Sequence, residues 1–170
     1  MKHMTLQAMA EACHGVYIGN PEDIKKEVTS ITTDSRKAEP GGMFAAIKGE
    51  RVDGHDFIPG VLEKGALCVI SEKQPVTEQG NYIIVEDTVR ALGAIAGYYR
   101  KQLAIPVVGI TGSVGKTSTK EMVASVLSQK YRTLKTAGNF NNNLGLPLTI
   151  FRLTEEDEIA VLEMGISHFG

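Results

Sequence analysis

The stretch V-V-G-I-T-G-S-V-G-K-T-S-T, Val107 to Thr119, decides how the rest of the chain is read. A β-branched run (Val107, Val108, Ile110, Thr111) gives way to glycines and then to Lys116-Thr117, after which Met122, Val123, Val126 and Leu127 recur at helical spacing. The order is strand, phosphate loop, helix. Gly112 and Gly115 permit backbone conformations that turn N–H groups toward one anion, and the start of the following helix adds its positive end. In this reading residues Thr111, Gly112, Ser113, Val114, Gly115, Lys116, Thr117 and Ser118 form a nucleotide cradle. Lys116 reaches the outer phosphates, and the Thr117 hydroxyl holds Mg²⁺. The common pattern places a glycine five residues before Gly115, where this chain has Ile110. A plain glycine turn with a solvated lysine is the alternative.

Working outward, 170 residues with 42% hydrophobic and 22% charged side chains make a globular chain long enough for one large domain or two small ones. A formal charge of −2 with no Lys/Arg run argues against nucleic acid as a partner. Cys13 and Cys68 stand far apart in apolar surroundings without a C-x-x-C spacing, which reads as two buried free thiols in a reducing compartment. The N-terminus has no continuous apolar signal segment, and no run approaches the roughly 18 apolar residues of a membrane span. The expectation is a cytoplasmic protein with no membrane insertion.

Upstream of the loop, Thr5 is placed to cap a helix carrying Leu6, Met9, Ala10 and Cys13 on one face, with Gly15 as its C-cap. Val28 to Thr33 and Met43 to Ile47 read as strands, separated by the turn Pro40-Gly41-Gly42. Donor-rich loops follow both strands. A short helix entered at Asp56, with Pro59 in its first turn and Gly65 at its end, leads to two compact apolar runs, Ala66 to Ile70 and Tyr82 to Val85. These predict strands buried on both faces. A longer helix from Asp87 to Lys101 turns Val89, Leu92, Ala96 and Tyr99 inward, and its Gly93 and Gly97 predict a close neighbour. Pro106 stops that pattern. The domains expected are 1–103 and 104–170.

Downstream, Tyr131 to Leu134 is a strand candidate, and four asparagines lie within Asn139 to Asn143. Read from composition, they form a turn whose side chains satisfy their own backbone. Ile159 to Glu163 is a buried strand ending in an acid. In open α/β sheets the ligand crevice lies beyond the carboxyl ends of the strands, so Glu163 is either a metal ligand beside the phosphate loop or an exposed strand-end glutamate. The fold class is therefore α/β: a small mixed α/β N-terminal domain, then the start of a P-loop nucleotide-binding domain with a parallel sheet.

Six segments occur in one order: T-D-S-R (Thr33 to Arg36), P-G-G-M-F (Pro40 to Phe44), K-G-E-R-V-D-G-H-D-F-I (Lys48 to Ile58), T-G-S-V-G-K-T (Thr111 to Thr117), N-F-N-N-N-L-G-L-P-L-T (Asn139 to Thr149) and E-M-G-I-S-H-F-G (Glu163 to Gly170). Together they resemble the Mur ligases of peptidoglycan synthesis over essentially the whole chain, and the glycine spacing around Ile110 is that of the Mur loop. The resemblance implies a ligase that uses ATP and Mg²⁺ to activate a substrate carboxylate as an acyl phosphate, which an amine then displaces. Within the family, the asparagine-rich stretch favours addition of D-alanyl-D-alanine to UDP-N-acetylmuramoyl-tripeptide. The related ligase that adds the third peptide residue, and a UDP- or ATP-binding fragment without turnover, are the alternatives.

The roles that the resemblance implies are specific. Lys116, Asn141, Asn142, Glu163 and His168 are catalytic, with Thr117 and Glu163 on the metal. His168 can equally be a surface histidine. Ser35, Arg36, Lys48, Gly49, Asp53, Gly54, His55 and Asn139 face the UDP-linked substrate, although an Asp34–Arg36 ion pair or a surface role for Lys48 explains the same residues. Only about 65 residues follow Pro106, short of the roughly 100–150 of a common domain, so a monomeric N-terminal fragment lacking the amine-binding domain is expected.

Overall fold

A computed structural model of the chain describes every residue except Lys2, Val76, Glu78, Asn139 and 166–170. The buried runs form β4 (Cys68–Ser71) and β5 (Asn81–Ile84), paired in parallel with Cys68 opposite Asn81 and Ser71 opposite Ile84. β3 (Met43–Ala45) and the two-residue β2 (Ile31–Thr32) continue the sheet in parallel on the other side of β4. A strand absent from the sequence reading, β1 (Val16–Ile18), closes the far edge antiparallel to β5, giving the order β1-β5-β4-β3-β2. It is three residues long and only its middle residue is half-buried, so it leaves no alternation to detect.

α1 (Leu6–Cys13) starts as the sequence predicts, with the Thr5 hydroxyl accepting from the Ala8 amide at 3.1 Å. Its end differs. His14 takes the left-handed conformation (φ 54°), whereas Gly15 lies where an added Cβ would meet Ile83 Cγ2 at 2.5 Å. That glycine leaves the left-handed position to His14, and its amide closes the helix end on the Ala10 carbonyl at 2.8 Å. α2 (Ile58–Glu63), preceded by a 3-10 turn at Gly54–Phe57, lays Ile58 and Val61 on Phe44, Val69 and Tyr82 to make the core of this unit.

Asn81, 4% exposed, pins the N-terminal segment to β5. Its Oδ1 accepts from Tyr17 Oη (2.7 Å) and the Asn20 amide (3.0 Å), and its Nδ2 donates to Asp23 Oδ2 (3.0 Å) and the Leu67 carbonyl (2.9 Å). All four hydrogen-bonding sites are filled.

α3 (Thr88–Gln102) buries Ala91, Leu92, Ile95, Ala96 and Tyr99, while Val89 is only half-buried. Among the described residues the close neighbour expected at Gly93 and Gly97 is absent: none lies within 4 Å of where their Cβ atoms would stand. The chain divides into two compact units, Met1–Ile95 and Ala96–Gly170. Cys13 is half-buried and Cys68 buried; both are free, and burial pushes both thiols up.

In the second unit, β6 (Val107–Ile110) and β7 (Thr133–Lys135) flank β8 (Ile159–Glu163), all parallel. α4 (Lys116–Leu127) covers this sheet, with Ala124 packed on Ile110 and Val161, and Val123 and Leu127 alongside. Two residues placed in the helical pattern, Met122 and Val126, instead face outward at 70% and 72% exposure. The inward position one turn before Ala124 is taken by Lys120. The asparagine stretch ends in a short helix, α5 (Gly145–Ile150), where the sequence reading assigned no element.

Because Asn81 satisfies four buried or half-buried groups, Asn81→Leu is expected to destabilise the chain by about 2–4 kcal/mol in urea unfolding. A loss below about 1 kcal/mol would mean that these groups find water.

Candidate functional site

Parallel pairing of β6 with β8 sets Ile110 opposite Glu163, so the acid stands beside the first residue of the glycine loop. The loop turns through positive φ at Gly112 (146°) and Gly115 (78°), conformations that side chains with a Cβ resist. No side chain caps α4, so the amides of its first turn are left for an anion. Lys116 folds back, its ammonium donating to the Gly112 carbonyl at 2.7 Å. Thr111, Ser113, Val114, Thr117 and Ser118 are exposed around it.

Glu163 is 1% exposed, which excludes the strand-end surface reading. Thr117 Oγ1 donates to its Oε2 at 3.1 Å, Asn141 Nδ2 donates to its Oε1 at 2.7 Å, and Lys120 Nζ lies 3.5 Å from Oε2. Its own amide donates to Thr136 Oγ1 at 3.0 Å. Burial pushes the Glu163 carboxyl up, but the Asn141 and Thr117 hydrogen bonds and the Lys120 charge outweigh it, and the net direction is down. The acid is held ionised.

The asparagines divide. Asn141 reaches Glu163, and its carbonyl accepts from the Gly165 amide at 2.7 Å. Asn142 Oδ1 instead accepts from the amides of Leu144 (3.2 Å) and Gly145 (2.7 Å), the self-satisfying turn that composition suggests. Its side chain starts α5 and does not touch the acid. Asn139 and His168 lie outside the described residues. Sequence reasoning missed Lys120 and Thr136. Lys120 shares a stripe with Ala124 and Leu127 at i, i+4 and i+7, which was the available signal.

In the first unit the donor-rich loops follow β2 and β3, at the carboxyl end of the parallel strands. Asp34 Oδ1 and Oδ2 accept from Arg36 Nε and Nη2, each at 2.8 Å, so the ion-pair explanation is realised. The Arg36 side chain is 87% exposed. These hydrogen bonds hold the Asp34 carboxyl down at about 2. The Ser35 carbonyl takes Lys64 Nζ at 2.8 Å.

After β3, the backbones of Lys48 and Asp53 form an isolated antiparallel bridge, and the Gly49 amide donates to the Val52 carbonyl at 2.9 Å. At Gly54 an added Cβ would meet Ile47 N and O at 2.7 Å, so only glycine fits. His55 is 4% exposed, with Nδ1 2.6 Å from Asp53 Oδ1 and Nε2 accepting from the Glu72 amide at 3.3 Å. Both ring nitrogens are engaged within the protein, which makes His55 an anchor for this loop. Lys73 Nζ donates to Asp53 Oδ2 at 2.7 Å, and these contacts keep the Asp53 carboxyl well below its ordinary range. Lys73 and Glu72, neither singled out in the sequence, complete the lock.

A family model described as the Mur ligase family catalytic domain matches residues 27–111, and one described as the Mur ligase middle domain matches residues 110–170. The chain is 42% identical over 168 residues to the UDP-N-acetylmuramoyl-tripeptide–D-alanyl-D-alanine ligase of Bacillus subtilis (strain 168), covering 98% of this chain and 36% of that protein. The Escherichia coli (strain K12) ligase of the same name is 43% identical over 170 residues, with 100% and 36% covered. Among solved structures, MurF from Acinetobacter baumannii aligns with a TM-score of 0.87 at 42% identity, covering 98% of this chain and 37% of that one. MurF from Thermotoga maritima in complex with ADP aligns at 0.73 and 40% identity, covering 79% and 31%. The chain thus spans little more than a third of the length of these relatives. Among the described residues no helix is long and apolar enough to cross a membrane.

The Asp34–Arg36 geometry has a measurable sign. The folded carboxyl lies below its ordinary ~3.9, so its stabilisation is present above that pH and fades as pH falls toward about 2. Arg36→Ala removes the guanidinium but keeps the amide of residue 36 on Asp34 Oδ1 (3.1 Å), so it is expected to raise the Asp34 carboxyl part of the way back toward about 3.9 in a carboxyl-carbon NMR titration. An unchanged value would show that Arg36 is not the cause.

Proposed function

The chain belongs to the Mur ligase family, and on that premise we propose that it is the UDP-substrate and nucleotide portion of a cytoplasmic, monomeric ligase that adds D-alanyl-D-alanine to UDP-N-acetylmuramoyl-tripeptide. Residues 1–103 hold the UDP end of the substrate and residues 104–170 begin the ATP-binding domain. The observation that carries the proposal is the meeting of Thr117, Asn141 and Glu163 at the mouth of the glycine loop.

The residues present suit ATP with Mg²⁺. The Thr117 hydroxyl and the Glu163 carboxylate are hard oxygen donors 3.1 Å apart at the loop that takes the phosphates. Thr117 and Glu163 would hold the cation beside the phosphates, with no cluster of three His, Cys, Asp or Glu side chains among the described residues to hold it by protein alone. The cation, when bound, neutralises phosphate charge.

The chain's own groups do the rest. Glycine-loop and α4 amides bind and orient the phosphates, and Lys116 exchanges the Gly112 carbonyl for a phosphate oxygen. Asn141, through Nδ2, keeps Glu163 turned toward Thr117. The substrate carboxylate attacks the γ-phosphate, ADP leaves, and the incoming amine displaces phosphate from the acyl phosphate to give the amide. No protein nucleophile is required, because catalysis rests on placement and charge neutralisation. The loops carrying Ser35, Arg36, Lys48, Gly49 and Gly54 offer backbone and side-chain donors for the uridine diphosphate, with Asp53 and His55 fixing the second loop.

In the longer ligase that carries this chain, Lys116→Ala is expected to lower kcat for ATP-dependent amide formation by about 10²–10³-fold or more, with the circular dichroism spectrum unchanged. Turnover within twofold of wild type would overturn the assignment.

A further inference from the structure

Lys120 is fully buried, so it cannot touch a substrate, yet it carries a charge next to the candidate acid. An ammonium has three donors. Three oxygens surround this one: the Gly138 carbonyl at 3.0 Å, Glu121 Oε1 at 3.3 Å and Glu163 Oε2 at 3.5 Å. They belong to three places in the unit, namely the turn after β7, the helix α4 itself and the end of β8. Glu121 is fixed in turn by Lys135 of β7. The Gly138 turn opens the stretch that delivers Asn141 to Glu163.

Stability alone is a poor reason for such a residue. A buried ion pair replaced by an apolar side chain of similar volume is often neutral or stabilising, so the charge calls for another explanation. We propose that Lys120 is a positioning residue for phosphoryl transfer, its ammonium fixing the Glu163 carboxylate and the Gly138 end of the asparagine stretch relative to the glycine loop. This rests on the ligase reading above. Ground-state nucleotide binding depends chiefly on backbone amides that Lys120 does not contact. Its loss therefore falls on the chemical step.

The test compares wild type, K120M, N141A and the double variant in the longer ligase, measuring steady-state kinetics and ADP affinity by calorimetry. K120M is expected to lower kcat at least 100-fold, with KM for ATP and ADP affinity within threefold of wild type. Adding K120M to N141A is expected to cost less than tenfold more, because both act through Glu163. Should K120M not fold, K120R keeps the charge but not the compact three-point reach. It is expected to bind ADP normally with kcat at least tenfold down. A folded K120M with kcat within threefold of wild type, fully multiplicative effects with N141A, or wild-type kcat in K120R would each overturn the inference. Absence of amide synthesis by the wild-type ligase would instead overturn the ligase reading itself.

Discussion

A carboxylate sealed from water must be compensated from inside, and Glu163 imposes that requirement on every element around it. Leaving such a charge unpaired costs several kcal/mol, enough to unfold a marginal domain. Compensation arrives from α4 through Thr117 and Lys120 and from the asparagine stretch through Asn141, while Thr136 takes the Glu163 amide. Parallel register makes this possible, because it carries β8 to the same level as the glycine loop. One residue thereby unites a helix start, a strand end and a loop.

The first unit uses the same device at a smaller scale. Asp53 receives the His55 amide, the His55 ring and the Lys73 ammonium, and Glu72 joins the other His55 nitrogen to the start of α3 through the Thr88 amide. A loop that would otherwise sample many conformations is held at its base, and its outer part, with Arg51 and Val52 exposed, stays open to solvent. Binding loops held in this way lose less entropy when a ligand arrives.

Elements with a strong local signature were legible in the sequence: the buried runs at β4 and β5, the Thr5 cap, and the strand, loop and helix around Lys116. The misreadings share a cause. β1 is specified by its pairing with β5 and by Asn81, both distant in sequence, and the β-prone Val16–Ile18 is too short to show a period. On α4 the apolar spacing of Met122 and Val126 pointed to the wrong face, because the inward stripe contains a lysine. Spacing cannot see a buried charge whose partners come from other elements. Asn142 and His55 show the converse, since a motif identifies a residue while only geometry shows whether its side chain faces a ligand or its own backbone.

The Asn81 anchor also bears on how the chain is made. Tyr17 and Asn81 are separated by 64 residues, so β1 has no strand to pair with until β5 has been synthesised. With translation adding about 5–20 residues per second, that interval is roughly 3–13 s. During this time the start of α1 can already bond the carbonyls of Ile24 and Lys26, whereas β1 has no partner strand in existence. Within this unit β1 is therefore fixed only after β5 has been made, seconds after its own synthesis.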